Sequence, residues 1–289
     1  MANAGDLPLP HGVDDSVYNL FALRFAEAPR RAPQNFAISD VHDGPMPLDY
    51  NLWIACNRHR TVLIDTGFGP EASKRRNRPV VVDPLDALGR IGIDVDQIDD
   101  VVISHLHYDH AGNMARFGRA RFHVQDAEAS YATGRCMTEG HLRMPFDVED
   151  VVTFVRHTFA ERVCFHDGDA EPLPGISLHL MPGHSAGMQA TCVTTLRGDV
   201  VLASDVSHYY ANIVRRSPFA ITIDSIATLN SYTRLIEIAG AIEHVIPGHD
   251  PMVRRLYPSI NVNGVELSVL HDDPTPCDLA TLASCEGYE

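Results

Sequence analysis

Four side chains of the kind that bind divalent cations fall within six residues of this sequence: His105, His107, Asp109 and His110, in the segment SHLHYDHAGN. Imidazole nitrogens and carboxylate oxygens are the usual ligands of zinc and other first-row divalent metals. His105 and His107 are two residues apart, so an extended backbone presents both on one face, where they can bind one cation together. Asp109 and His110 follow on a turning segment and are predicted to serve a second cation nearby. The cluster contains no Cys, which argues against a structural Cys-rich zinc site.

The elements that must position this cluster are short strands and helices. Asp100–Ser104, a β-branched segment, leads directly into the histidines and has the composition of a strand. The other predicted strands are residues 16–26, Tyr50–Cys56, Thr61–Asp65, Arg121–Val124, Ser177–Met181, Ala190–Thr195, Val200–Ala203 and His244–Pro247. Helices are predicted at 83–92 and 224–243, the second with an apolar face made by Ile226, Leu229, Tyr232, Leu235, Ile236 and Ala239. Strands followed by a helix, twice over, predict a mixed α/β layered fold.

Composition excludes several classes of function. The net charge of −15 argues against a nucleic-acid or membrane-surface partner, since phosphate groups bind to basic faces. The one dense basic run, Lys74–Arg78, is interpreted as a solvated loop or helix end. The first ten residues lack the features of a secretory signal, no apolar run reaches about 18 residues, and the six Cys form no CxxC pair. We therefore expect a cytoplasmic protein of one domain, residues 1–289, with an N-terminal arm at 1–15 and an inserted helical segment at about 125–162.

Four further motifs accompany the HxHxDH cluster in a fixed order. They are Ile64–Gly67 (IDTG), Pro182–Ser185 (PGHS), Ala203–Asp205 (ASD) and Pro247–Asp250 (PGHD). Together with the cluster they resemble the signature of the metallo-β-lactamase superfamily, over roughly residues 50–250. The resemblance implies an αββα sandwich, with ligands on loops at one edge of the paired sheets.

The resemblance also implies a ligand set for two divalent cations per chain. One cation is expected at His105, His107 and His184, the other at Asp109, His110 and His249, with Asp205 bridging both. Zn²⁺ is the expected metal, and the same ligands also admit Mn, Fe or Co. Asp65 is predicted to tie a turn or to orient a ligand histidine.

Such a centre favours hydrolysis. Two cations a few ångströms apart can share a hydroxide and act as Lewis acids, and Asp109 is predicted to help move the proton to the leaving group. Within the superfamily the sequence most resembles the quorum-quenching N-acyl homoserine lactone lactonases, in which a Tyr shortly after the bridging Asp polarises the lactone carbonyl. Here the corresponding offset from Asp205 falls on His208, and Tyr209 is one residue further. Asp109, Tyr209 and His208 are therefore the predicted catalytic residues.

The substrate pocket is predicted around Met46, Phe68 and Tyr108. The inserted segment is expected to add further side chains near the pocket: Met137, His141, Met144 and Phe146. These apolar side chains suit an acyl chain or an aromatic lactone. The predicted partner is accordingly a small lactone or ester, with neither nucleic acid nor membrane.

Other functions remain open at this point. They are another lactone or ester hydrolase, a small-molecule phosphodiesterase or phosphotriesterase using the same two metals, a di-iron redox protein and a purely structural metal-binding module. A redox role would normally need a flavin domain, for which this chain has no room, and a structural module would not need seven ligands that leave positions open for substrate. A homodimer through the N-terminal strand and the inserted segment is a further open alternative.

Overall fold

Two sheets make up the β structure of the computed structural model, which describes residues 5–10, 15–38 and 44–283. The strands are β1 (Asn19–Ala28), β2 (Leu48–Cys56), β3 (Thr61–Ile64), β4 (Asp100–Val102), β5 (Arg121–Gln125), β6 (Val163–His166), β7 (Ala170–Leu173), β8 (Ile176–Leu180), β9 (Gln189–Thr195), β10 (Gly198–Ser204), β11 (Val245–Pro247), β12 (Ser259–Val262) and β13 (Val265–Val269). The larger sheet has the order β12-β13-β1-β2-β3-β4-β5-β6 and the smaller β11-β10-β9-β8-β7. Among these strands β6, β7, β12 and β13 were not predicted, because they are short and at most one face of each is fully buried.

Helices cover the outer faces of the sheets. They are α1 (Pro70–Arg76), α2 (Pro84–Arg90), α3 (Tyr108–Ala111), α4 (Asp126–Ala132), α5 (Gly140–Arg143), α6 (Val148–Phe159), α7 (Tyr210–Val214), α8 (Ser225–Ala239), α9 (Met252–Leu256) and α10 (Leu279–Ala283). The segment predicted as a helical insertion holds α4, α5 and α6, between β5 and β6. Among the described residues, no helix combines the length and apolarity needed to cross a bilayer.

Alternating side chains on the strands build three apolar layers. Trp53 of β2 faces the cluster between the two sheets, whereas its neighbours Leu52 and Ile54 face a second cluster on the outside of the larger sheet. Phe154 of α6 belongs to that second cluster, and Tyr232 of α8 packs in a third cluster against the smaller sheet. A strand covered on both faces needs apolar residues at successive positions. This arrangement confirms the predicted αββα sandwich.

The predicted apolar face of α8 is confirmed except at Ile226, which is 74% exposed. Tyr232 and Leu235 are buried, and Leu229, Ile236 and Ala239 pack against the same cluster. Thr228 and Ser231 are buried as well, which the apolar pattern does not predict. Small polar side chains face inward because the helix approaches the backbone of another loop closely: the Ser231 hydroxyl donates to the Pro182 carbonyl at 2.9 Å. This turn leads to His184, so α8 supports one of the predicted metal ligands.

The predicted ligands all follow strands at one edge of the sandwich. β3, β4 and β5 run parallel, as do β10 and β11. The carboxyl ends of parallel strands meet at the same edge of a sheet. Asp65 follows β3, the segment 104–110 follows β4, Asp205 follows β10, and His249 lies just beyond β11. The ends of these strands therefore place the side chains close together at one edge of the sandwich.

Candidate metal centre

Three overlapping groups of potential ligand atoms lie at this edge. The first is formed by His105, His107, His184 and Asp205, the second by Asp109, His110 and His249, and the third by Asp205, His208 and His249; within each group the ligand atoms lie within 4.8 Å of one another. All seven predicted ligands are therefore brought together. Six of them are buried, and the carboxylate of Asp109 keeps 12% exposure.

The Asp205 carboxylate lies between the first and second groups. Its Oδ2 is 3.2 Å from Nε2 of His184 and 3.8 Å from Nε2 of His105. Its Oδ1 is 2.8 Å from Nε2 of His249 and 3.3 Å from Nε2 of His110. Each oxygen faces a different set of imidazoles, which is the arrangement a bridging ligand requires.

The polar atoms at the centre fit bound cations. Nε2 of His105, Nε2 of His110 and Oδ1 of Asp205 are buried and have no hydrogen-bond partner among the described residues. A buried polar atom without a partner costs roughly 1–3 kcal/mol, and coordination of a metal removes that cost. Burial, followed by the neighbouring imidazoles, holds the pKa of His105 and of His107 well below the usual range. These two rings are therefore neutral and offer lone pairs.

Three of the imidazoles are oriented by hydrogen bonds on their far side. Nδ1 of His184 lies 2.7 Å from the Ile221 carbonyl, and Nδ1 of His249 lies 2.7 Å from the Asp49 carbonyl. Nδ1 of His110 lies 2.7 Å from the Asp65 carboxylate, which confirms the orienting role predicted for Asp65. Such partners fix the tautomer that leaves Nε2 free for a metal.

A buried acid that sequence reasoning missed joins two of the ligand loops. Glu128, in α4, accepts hydrogen bonds from the backbone amide of Leu106 at 2.9 Å and of Gly187 at 3.0 Å, and from the Ser185 hydroxyl. Leu106 lies between two predicted ligands, and Ser185 follows a third. The only signal in the sequence is an acid inside the helical segment, which is ordinarily read as a surface residue.

A close approach explains the glycine before His249. A Cβ on Gly248 would lie 2.7 Å from the Ser204 carbonyl oxygen and 2.9 Å from Oδ1 of Asp205. Any larger residue would displace the two loops that carry Asp205 and His249.

A small cavity of about 70 Å³ opens onto the centre. Tyr108, predicted to contact substrate, lines it together with Tyr50, and the Tyr108 hydroxyl donates to the Tyr50 hydroxyl at 3.3 Å. Met46 and Phe68 do not line it, contrary to the prediction: both are fully buried, and Phe68 packs behind Tyr50 and Tyr108. Their apolar side chains complete the core behind the cavity wall.

The inserted segment covers one side of this cavity. Some of the side chains that the sequence predicts near the pocket lie there, and others lie further away. Met144 lines the wall, and the ring of Phe146 packs edge-on to His107 with centroids 4.6 Å apart. His141 lines an adjoining cavity of about 170 Å³, and Met137 lies in a groove further out.

His208 and Tyr209 point in different directions. His208 lines the cavity, with Nε2 3.1 Å from Oδ2 of Asp205 and its ring stacked on Phe219 at 3.5 Å. Tyr209 is fully buried, and its hydroxyl lies 3.0 Å from the Pro47 carbonyl and accepts a hydrogen bond from the Asn35 amide at 2.9 Å. The structure thus does not place the Tyr209 hydroxyl at the cavity, because Tyr209 is the N-cap of α7 and its side chain enters the core.

The basic run behaves only partly as predicted. It does end helix α1, and Lys74 and Arg75 are exposed. Arg76 and Arg78, however, are half-buried and line the cavity, as does Arg30. Asn77 adopts a left-handed conformation (φ 51°) that ends the helix and turns the chain toward the site.

The model of the metallo-β-lactamase superfamily matches residues 46–249. The chain belongs to the metallo-β-lactamase superfamily. The resemblance inferred from five ordered motifs is therefore confirmed, and the matched residues contain all seven predicted ligands.

Relatives of this metallo-β-lactamase superfamily member include lactone hydrolases. The N-acyl homoserine lactonase of Bacillus thuringiensis is 32% identical over 168 residues, which make up 57% of this chain and 61% of that relative. A crystal structure of a quorum-quenching N-acyl homoserine lactone hydrolase is 25% identical with a TM-score of 0.68, covering 83% of this chain and 95% of that one. A dizinc quorum-quenching lactonase solved with a product shares the fold at 15% identity, with a TM-score of 0.64 over 91% of this chain and 99% of the other.

Proposed function

We propose that this chain is a dinuclear metal-dependent hydrolase that opens the ester ring of a lactone, with N-acyl homoserine lactones as the first candidates. One observation carries the proposal: the two oxygens of Asp205 face separate imidazole groups at the floor of an open cavity. The lactonase relatives support the choice of bond, and the dizinc neighbour supports Zn²⁺ as the metal.

In this proposal His105, His107 and His184 hold one cation, Asp109, His110 and His249 hold the other, and Asp205 serves both. When bound, two divalent cations supply a nucleophile at neutral pH and Lewis acidity at the ester carbonyl. Asp109 is the most exposed of the seven proposed ligands and lines the cavity, so its carboxylate can take a proton from the nucleophile and return it to the leaving oxygen.

The sequence leaves open whether His208 or Tyr209 contacts the substrate, and we propose His208. Its Nε2 faces Asp205, and its Nδ1 is buried without a hydrogen-bond partner among the described residues. The stacked ring of Phe219 holds the imidazole in one orientation. Tyr108 and Tyr50, whose pKa values are raised by burial, stay neutral and close the opposite wall.

The test combines metal analysis with a substrate panel. We expect two metal ions per purified chain, and proton release on N-acyl homoserine lactones or on simple γ- and δ-lactones. Turnover of phosphoesters alone would show that the metals serve phosphoryl chemistry and that the lactone proposal is wrong. A metal content of one ion per fully active chain would contradict the dinuclear centre.

A further inference from the structure

Three arginines, Arg30, Arg76 and Arg78, line the same cavity as the metal ligands. Each has a buried Nε without a hydrogen-bond partner among the described residues. Within the described part of the chain none of the three forms an ion pair with a carboxylate, whereas the exposed Arg75 of the same run pairs with Asp147.

Arg76 is held by backbone and ring contacts. Its guanidinium lies 4.0 Å above the ring of Tyr108, and its two terminal nitrogens donate to the carbonyls of Met144 and Phe146 at 2.9 and 2.8 Å. These partners are uncharged and fix its position, and Asp150 of α6 acts on its charge without forming an ion pair with it.

Arg30 and Arg78 are fixed in a similar way. Arg30 lies 5.0 Å from the ring of Phe219 and donates one terminal nitrogen to the Gln34 carbonyl at 2.6 Å. Arg78 donates one terminal nitrogen to the Arg76 carbonyl at 3.0 Å. Arg78 also hydrogen-bonds the hydroxyls of Tyr50 and Tyr108. The Nε of Arg30 and of Arg78 remains without a hydrogen-bond partner among the described residues, and an oxyanion can accept a charge-assisted hydrogen bond from such a donor.

The carboxylates that line the cavity, Asp109 and Asp205, do not offset these charges. Both belong to the metal centre, and two divalent cations exceed their combined charge. Burial lowers the pKa of Arg30, and the charge of Arg78 adds to that effect. The cavity is therefore a concentrated positive site in a chain whose net charge is −15.

We infer that the substrate opened at this centre carries an oxyanion, a carboxylate or a phosphate, which Arg30, Arg76 and Arg78 bind while the ester carbonyl lies at the metals. The inference rests on the proposed hydrolysis of a lactone or ester and narrows its substrate class. Among the lactones of the proposed function, the inference therefore favours anionic ones over the uncharged N-acyl homoserine lactones.

A matched pair of lactones tests this with the metal-loaded protein. γ-Butyrolactone-3-carboxylate and its primary amide differ only in charge, and the 3-phosphonate separates a phosphate preference from a carboxylate preference. We expect the KM of the carboxylate or of the phosphonate to be about 10-fold to 100-fold below the KM of the amide. Arg30→Gln and Arg78→Gln should raise the KM of the anionic lactone by a similar factor and raise the KM of the amide by a clearly smaller one. Lys74→Gln, an exposed charge of the same run, is the control and should change neither.

Binding without turnover gives an independent readout. 3-Oxocyclopentane-1-carboxylate lacks the ester oxygen, so calorimetry on the metal-loaded protein can compare it with its amide in the wild type and in Arg78→Lys, which keeps the charge. Arginine-dependent binding of the anion without hydrolysis of any lactone would contradict the proposed function but support an anion site formed by the arginines. Equal hydrolysis of charged and uncharged lactones by the wild type, with equal binding of the two analogues, would overturn the inference and keep the proposed function. The wild-type comparison decides the outcome even if a glutamine variant does not fold.

Discussion

The Asp65 carboxylate binds both the backbone amide of Ser104 and the imidazole ring of His110. Its Oδ2 lies 2.7 Å from Nδ1 of His110, and its Oδ1 accepts the backbone amide of Ser104 at 2.7 Å. One side chain from the end of β3 therefore fixes both the start of the segment after β4 and the orientation of a histidine six residues later.

Asp65→Asn should weaken one metal site. An asparagine can present its amide nitrogen to Nδ1, which would favour the tautomer with the proton on Nε2. We expect metal affinity to fall about 10-fold to 100-fold at the site that holds His110. Competition with a chromogenic chelator measures this, and Asp99→Asn, an exposed acid paired with Arg119, is the control. Unchanged affinity would show that Asp65 only ties the turn.

Asp205→Asn should affect both metal sites at once. The substitution leaves one oxygen for two cations, so we expect elemental analysis to give fewer than two ions per chain. Activity should fall by more than the ~10–100-fold that is typical of residues outside the ligand set. Two tightly held ions and full turnover in this variant would rule out a shared ligand.

His208 and Tyr209 can be separated by two conservative variants. His208→Phe keeps the stacking on Phe219 but removes the ring nitrogens, so kcat should fall by about 100-fold with little change in melting temperature. Tyr209→Phe removes a buried hydroxyl, so the free energy of unfolding should fall by about 1–2 kcal/mol while kcat stays within about twofold. A large fall in kcat for Tyr209→Phe together with an unchanged kcat for His208→Phe would show that Tyr209 contacts the substrate.

Gly248→Ala should damage the centre through steric contact. The added methyl group would meet the Ser204 carbonyl and the Asp205 carboxylate, and overpacking of this kind costs about 1–3 kcal/mol. We expect lower stability together with lower metal content. Gly89→Ala in α2 meets no atom within 4 Å and should instead be neutral or stabilise by up to about 1 kcal/mol, as thermal unfolding would reveal. Equal changes in melting temperature for Gly248→Ala and Gly89→Ala would contradict the close approach of Gly248 to Ser204 and Asp205.

The metal centre was predictable because each ligand belongs to a short motif at the end of a strand. His105 and His107 are fixed relative to each other by the backbone alone, and Pro-Gly turns mark His184 and His249. The prediction failed where a side chain's direction depends on tertiary packing. Tyr209 caps a helix that the sequence did not reveal, and its side chain therefore turns into the core.

The cavity walls were hard to predict for a different reason. Arg30, Arg78 and Phe219 come from three segments distant in sequence and meet only in the folded chain. None belongs to a motif that indicates metal or substrate binding. The burial of Thr228 and Ser231 on α8 was missed likewise, because it comes from a close backbone approach that hydrophobic periodicity does not encode.

The pairing of β1 with both β2 and β13 has a consequence for synthesis on the ribosome. Phe21 is opposite Ile54 on one side and Val269 on the other, so one flank of β1 finds its partner early and the other only after residue 269 has been made. Until then β1 is an apolar strand with an open edge, the kind of surface that pairs with other chains. A chain that stops before residue 265 would keep that edge, and we expect it to aggregate even though every proposed metal ligand has already been made.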